Sequence, residues 1–203
     1  MKSSVAIFVA SLVLLVSILA FTGSLTPKPL ASASLFIGTK TGHGSGIHIG
    51  NGYVITAEHV VDGSKQSEIK AIADDGRELS VRILWASKEF DLALLSINGS
   101  GLESRAIECI DPLPGDLITA LGSPLDLRFQ QMAGRVSGPV TVIPTLGTVQ
   151  PLDIALGPGM SGGGILNASG KIVGISRAIA GGGIAIGLDV PASTVCLLLG
   201  MAR

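Results

Sequence analysis

A serine at position 161 lies inside the run Gly157-Pro158-Gly159-Met160-Ser161-Gly162-Gly163-Gly164. A serine hydroxyl is a poor nucleophile until a base removes its proton. Acyl transfer also needs backbone N–H groups aimed at the oxyanion that forms. Glycines on both sides let the chain turn sharply and leave the hydroxyl uncovered, and the amides of Gly159 and Ser161 are the candidate donors. Taken alone, the run would equally describe a glycine-rich turn with an incidental serine. A base is available in Val54-Ile55-Thr56-Ala57-Glu58-His59-Val60-Val61, where a histidine follows an apolar strand. Its ring titrates near neutrality and can shuttle a proton. An acid opens Asp91-Leu92-Ala93-Leu94-Leu95. A carboxylate at the head of so apolar a strand needs a partner, and an imidazole N–H would be one, fixing the ring tautomer in return. Singly, these two residues would read as a polar strand-end histidine and a strand-capping aspartate.

Residues from three distant stretches can meet only on a scaffold that brings them together. The chain has 203 residues, 28 of them glycine, few aromatics and a formal net charge of −1. Its length suits one compact domain or two small barrels sharing an interface. With 14% charged residues and no charge excess, it offers no large single-sign field for nucleic acid. Short apolar runs separated by turn signals predict an all-β fold. Gly50-Asn51-Gly52 closes a hairpin between residues 47–49 and 53–56, and Asp74-Asp75-Gly76-Arg77 closes a second between 69–73 and 79–85. Further strands are expected at 91–97, 116–121, 135–142, 149–155, 164–166, 171–176 and 184–190, with a terminal helix over 192–201. Cys109 and Cys196 have no metal-type spacing. They form one disulfide if the chain enters an oxidising compartment, or two core thiols if it does not.

Residues 1–22 form a separate unit. Lys2 precedes a charge-free apolar stretch over 5–21, which as a helix would rise roughly 26 Å, the lower limit for spanning a bilayer. It is either a signal peptide cleaved after Ala31-Ser32-Ala33 or an uncleaved anchor. The triplet lies far beyond the apolar run, which favours the anchor, with Lys2 on the cytoplasmic side and the remainder exported. Residues 23–33, with Pro27 and Pro29, read as an extended linker.

The chemistry-bearing strings now gain a context. Their order, His59, Asp91, Ser161, is that of the chymotrypsin-type triad. Gly44-Ser45-Gly46, Thr56-Ala57-x-His59-Val60, Asp91-Leu92-Ala93-Leu94 and Gly159-x-Ser161-Gly162-Gly163 resemble trypsin-like peptidases, chiefly the bacterial high-temperature-requirement (Deg-type) group. Gly122-Ser123-Pro124-Leu125, Gly134-Arg135-Val136-Ser137, Gly170-Lys171-Ile172-Val173-Gly174-Ile175 and Gly183-Ile184-Ala185-Ile186-Gly187-Leu188 extend the resemblance over about residues 35–195. Met160 departs from it, standing where the group has Asn or Asp, as does Gly164, where Pro or Ala is usual.

The resemblance implies two antiparallel six-stranded β-barrels within residues 34–203, the first over about 34–112 and the second over about 116–191, with the active site between them. It implies a serine endopeptidase acting through an acyl-enzyme on polypeptide substrates. Ser161 attacks, His59 carries the proton, Asp91 orients His59, and the amides of Gly159 and Ser161 hold the oxyanion. No PDZ-type domain is expected after the last strand. The pocket for the residue before the scissile bond is expected at Ala155, Ile179 and Ile186, with Ile154 a further candidate. An aliphatic preference follows, unless Asp189 turns into the pocket and favours a basic residue. No cofactor or metal is required; His43 and His48 lack a third ligand. Two other readings stay open: a catalytically silent binding module on the same fold, and a structural membrane protein whose glycine-rich tail mimics the motif.

Overall fold

A computed structural model describes residues 29–98, 101–180 and 186–201, with only the backbone given for 178–180. The apolar segment expected over 1–22 and residues 23–28 of the expected linker lie outside the described residues; the end of that linker is not extended, for Leu30–Ala33 form a 3-10 turn with Ala31 and Ala33 buried against the domain. No helix among the described residues is long and apolar enough to cross a membrane.

The first barrel comprises β1 (Ser34–Gly38), β2 (His43–Gly50), β3 (Tyr53–Thr56), β4 (Lys70–Ala73), β5 (Glu78–Ser87) and β6 (Leu92–Ile97). It closes in the order β1-β2-β3-β6-β5-β4, all pairs antiparallel. The β2–β3 hairpin turns through Asn51 (φ 54) and Gly52 (φ 75), two consecutive left-handed residues whose twist matches that of the strands they join. Alternation in β5 turns Leu79 and Val81 inward while Glu78, Ser80 and Arg82 face out.

The second barrel comprises β7 (Leu117–Gly122), β8 (Gln130–Val136), β9 (Thr141–Ile143), β10 (Gly147–Asp153), β11 (Gly164–Asn167), β12 (Ile172–Ala180) and β13 (Ile186–Pro191). Pairing of β10 with β13 closes β13-β12-β11-β7-β8-β10 into a second six-stranded ring, and β9 hangs on β10 as a hairpin. The fold is thus all-β, with two antiparallel six-stranded barrels as expected.

Two details differ from the strand pattern read in the sequence. The strand expected over 135–142 is split: β8 ends at Val136, and the chain resumes as β9 only at Thr141. Gly138-Pro139 interrupts it, since proline cannot donate to a ladder. Most of β8 was hidden because Gln130, Gln131 and Arg135 are exposed and leave no apolar alternation. Strand β1 carries a continuous buried run, Ser34 to Ile37, which gives no period to read.

Three apolar clusters organise the packing. Leu35, Ile37, Val54, Leu79, Val81 and Leu95 fill the first barrel. Ile118, Val136, Leu152, Met160, Ile165 and Val173 fill the second. A third joins Ile47, Ile55 and Leu92 of the first barrel to Leu121, Leu166, Ile175 and Val190 of the second. Each large aliphatic side chain buried there contributes about 1.5–3 kcal/mol, so the barrels dock through a core of their own. The short helix α1 (Glu58–Val61) follows β3, and α2 (Ala192–Leu198) follows β13. Cys109 and Cys196 are joined in a disulfide, so α2 is stapled to the segment between the barrels. This settles the cysteine alternatives in favour of pairing.

Candidate active site

Each candidate side chain stands at the end of an element. Strand β3 ends at Thr56 and α1 begins two residues later, which sets His59 on the first turn of a helix at the barrel rim. Asp91 immediately precedes β6 with φ 51, a left-handed conformation that aspartate tolerates better than most residues. The tight bend presents its carboxylate to α1. Asp91 Oδ1 accepts the His59 ring Nδ1–H at 2.9 Å and the His59 backbone N–H at 3.1 Å, while Oδ2 lies 3.0 Å from Nδ1. Ring and backbone of His59 are therefore held by one carboxylate. The ring Nδ1 is the donor, which leaves Nε2 free to accept a proton.

The charges follow this geometry. The hydrogen bond from Asp91 raises the His59 pKa; burial and the Arg177 guanidinium oppose it without reversing it. For Asp91, burial alone would raise the carboxyl, but the bonds from the His59 ring and amide and the charges of His59 and Arg177 hold it below the ordinary range.

The loop that carries Ser161, the candidate nucleophile, comes from the second barrel. Gly157-Pro158-Gly159-Met160 forms a turn in which the Met160 N–H donates to the Gly157 carbonyl at 3.0 Å. Proline at the second position and Gly159 at the third, with φ 94, fit a type II turn. A side chain at Gly159 would strike the Ser123 carbonyl, and one at Gly162 (φ 84) would strike the Ser45 carbonyl and the Thr56 hydroxyl. Among the described residues neither the Gly159 nor the Ser161 amide has an intramolecular partner. Met160, the departure noted in the sequence, is fully buried in the second barrel's core and anchors the loop by packing.

Ser45 is a residue that sequence reasoning quoted without assigning it a task. Its N–H donates to the Ser161 carbonyl at 2.8 Å, and its hydroxyl donates to the Gly159 carbonyl at 2.7 Å. Strand β2 thereby holds the carbonyls of Gly159 and Ser161 and leaves their amides unengaged among the described residues. The only available signal was the Gly44-Ser45-Gly46 string.

His59, Asp91 and Ser161 line one cleft of about 340 Å³, together with Leu146, Leu156, Gly157, Pro158, Ser176 and Arg177. The Ser161 hydroxyl donates to the Arg177 carbonyl at 3.1 Å. Among the described residues no hydrogen bond joins it to His59. Arg177 was not singled out in the sequence, where nothing in its spacing marks it. Its Nε donates to Asp91 Oδ2 at 3.0 Å.

Of the expected pocket residues, Ala155 is exposed just beyond β10, and Ile186 opens β13 at 37% exposure. The side chain of Ile179 lies outside the described residues; its backbone pairs with Gly187. Ile154 is buried. Asp189 is fully buried inside the second barrel, its carboxyl packed against Gly174. His48 donates from Nδ1 to the Glu103 carbonyl and accepts the Gly52 N–H at Nε2. His43 donates to the Ser123 carbonyl and stacks on Phe36. Among the described residues no group of three His, Cys, Asp or Glu side chains is placed to hold a metal.

The profile of the trypsin-like peptidase domain matches residues 44–175. A probable periplasmic serine endoprotease DegP-like of Marinomonas sp. is 33% identical over 161 residues, 76% of this chain and 34% of that protein. The periplasmic pH-dependent serine endoprotease DegQ of Escherichia coli is 34% identical over 162 residues, 75% of this chain and 35% of that protein. The chain thus spans about a third of the length of these relatives. The structure of an HtrA-type protease AlgW with tripeptide superposes with a TM-score of 0.77 at 28% identity, covering 84% of this chain and 60% of that one. The serine endoprotease from Yersinia pestis shares the fold, with a TM-score of 0.74 at 24% identity over 84% of this chain and 62% of that one. With the profile covering more than half of its residues and both barrels in place beneath it, the chain belongs to the trypsin-like peptidase domain family.

Proposed function

We propose that the chain is a serine endopeptidase that cleaves polypeptides through an acyl-enzyme at Ser161. The observation that carries this reading is the His59–Asp91 pair, facing the same cleft as Ser161, with two unpartnered amides beside the nucleophile. His59 Nε2 takes the Ser161 proton as the hydroxyl attacks the scissile carbonyl. It then returns that proton to the leaving amine, and the cycle repeats with water. Rotation of the hydroxyl from the Arg177 carbonyl to His59 is the step that arms it. Asp91 stabilises the imidazolium, and the Gly159 and Ser161 amides stabilise the oxyanion. No metal or organic cofactor enters the cycle.

In this reading the pocket before the scissile bond is apolar, formed by Ala155, Ile179 and Ile186 with the cleft residue Leu156. It accepts Val, Ala or Leu and rejects a charged side chain, which would lose its hydration without a partner. The domain boundaries follow the two rings, about 34–112 and 116–191. The location is extracytoplasmic: the Cys109–Cys196 disulfide fits an oxidising compartment, and relatives are named periplasmic. Residues 5–21 direct the chain to the membrane, and the residues between them and the packed turn at Leu30–Ala33 tether the peptidase domain to it.

Incubation of the purified chain with an unfolded protein and a peptide library tests the reading. Cleavage after small aliphatic residues, absent from Ser161→Ala, is expected. Equal cleavage by Ser161→Ala would remove the assignment, and a profile dominated by Arg or Lys would remove the apolar pocket.

A further inference from the structure

We infer that Arg177 is a positioning residue for the acid of this site, fixing the Asp91 carboxylate from the second barrel and so setting how strongly Asp91 supports His59. The inference rests on the peptidase reading for its consequence but on separate atoms for its argument.

A carboxylate turns about a soft, roughly two-fold torsion. Asp91 presents both oxygens to His59 Nδ1 at nearly equal distances, 2.9 and 3.0 Å, so the imidazole alone does not select a rotation. Arg177 does. Its Nε–H donates to Oδ2 at 3.0 Å, which leaves Oδ1 to take the ring and backbone N–H groups of His59. A second arm, Nη1, donates to the Leu146 carbonyl in the turn between β9 and β10. Arg177 itself stands on β12. One side chain therefore ties two elements of the second barrel to the acid of the first. The pair is nearly out of solvent, with side-chain exposures of 11% and 10%, where removal of one partner is felt strongly. A planar guanidinium can serve Asp91 and Leu146 at once; an ammonium is a single point donor with no such fork.

The charge matters as well as the shape. His59 is faced by Asp91 and Glu58, which favour its protonated form, and by Arg177, which disfavours it. Glu58 has its own neighbours in Asp62 and Lys88. Among the described residues Arg177 is thus the one cation opposing the two acids around His59. It holds the imidazole neutral, and so able to act as a base, at lower pH than the acids alone would permit. The same residue's carbonyl receives the resting Ser161 hydroxyl, so acid and nucleophile are both referenced to one position on β12.

The test is an NMR titration of the His59 ring in the full-length chain, with Arg177→Met and Arg177→Lys compared to the parent, alongside pH profiles of kcat and KM for peptide cleavage. The titration needs no catalysis and so separates this inference from the peptidase reading. In Arg177→Met the His59 midpoint moves to higher pH, and kcat falls roughly ten- to hundredfold at nearly constant KM. Arg177→Lys restores part of the midpoint but little of kcat, because the charge returns without the fork. A His59 titration in either folded variant that superposes on the parent's would overturn the inference, whether or not the chain cleaves peptides.

Discussion

The first barrel closes around Leu35, Ile37, Val54, Leu79, Val81 and Leu95, and its buried acid, Asp91, is paired with His59 and Arg177. The second closes around Ile118, Leu152, Ile165 and Val173 but also encloses Asp189 and Gln150. The two polar residues sit opposite each other on paired strands β10 and β13. Gln150 donates to the carbonyls of Pro112 and Gly138, while its own Oε1 and both Asp189 oxygens have no hydrogen-bond partner. Burial, with Asp111 nearby, drives the Asp189 pKa well above its ordinary value; the backbone N–H dipoles of Gln150 and of Asp189 itself, too poorly placed to count as hydrogen bonds, oppose this without reversing it. The same closure is thus reached from two kinds of interior. The one whose buried acid is paired carries His59 and Asp91 at its rim. The one that encloses an unpaired carboxyl carries the Ser161 loop and is braced by the disulfide to α2. Stability and pH sensitivity should therefore concentrate in the second barrel, while proton chemistry depends on residues of the first.

The strongest break in that division is chemical. His59→Ala on one side and Ser161→Ala on the other should each lower peptidase kcat by roughly four to six orders of magnitude. Their combination should cost little more than either alone, since the residues act as a unit. Additive losses in steady-state kinetics would contradict a shared cycle.

Next in size is the staple. Cys109→Ser should reduce the free energy of unfolding by about 2–5 kcal/mol, because the bond closes a loop with a sequence separation of 87. Denaturant unfolding with and without reductant measures it. The same midpoint in both would show that the bond contributes nothing to the second barrel.

Asp189 sharpens the comparison further. A carboxyl whose folded pKa is raised binds its proton more tightly when folded. Its own contribution to stability is therefore fully present below the ordinary carboxylate range and is lost as pH rises through the folded value. Asp189→Ala should flatten that slope and gain on the order of 1–3 kcal/mol at pH 8 by removing two unpartnered oxygens, with little gain at pH 4. A parallel shift at both pH values would assign the effect to packing.

The smallest effect belongs to the first barrel. The Asp91 hydrogen bond raises His59 above its ordinary value of 6.5, and a protonated ring cannot act as base. Cleavage rates should therefore fall as pH drops, with the half-maximum above 6.5. A flat profile between pH 5 and 8 would remove His59 from proton transfer.

What could be read from the sequence divides along physical lines. That His59, Asp91 and Ser161 share one cleft was legible because a candidate acid, base and nucleophile have few residue types to choose from and each abuts an apolar strand or a glycine run. The turns at Asn51-Gly52 and Gly76 were legible because left-handed backbone selects its residues. Arg177 was not, since its partner lies 86 positions away and one arginine on a strand looks like any other. Strand β8 was hidden by exposed polar side chains. Pairing of Cys109 with Cys196 depended on the docking of α2, a tertiary event without a local signature.

The central claim is that Ser161 is a nucleophile activated by the His59–Asp91 pair. Fluorophosphonate labelling of the full-length chain, with the adduct located by mass spectrometry, addresses it most directly. The account predicts one covalent adduct, on Ser161, forming faster as pH rises and lost in both His59→Ala and Ser161→Ala. Absence of any adduct on Ser161 in the folded chain, or undiminished labelling of Ser161 in His59→Ala, would contradict it.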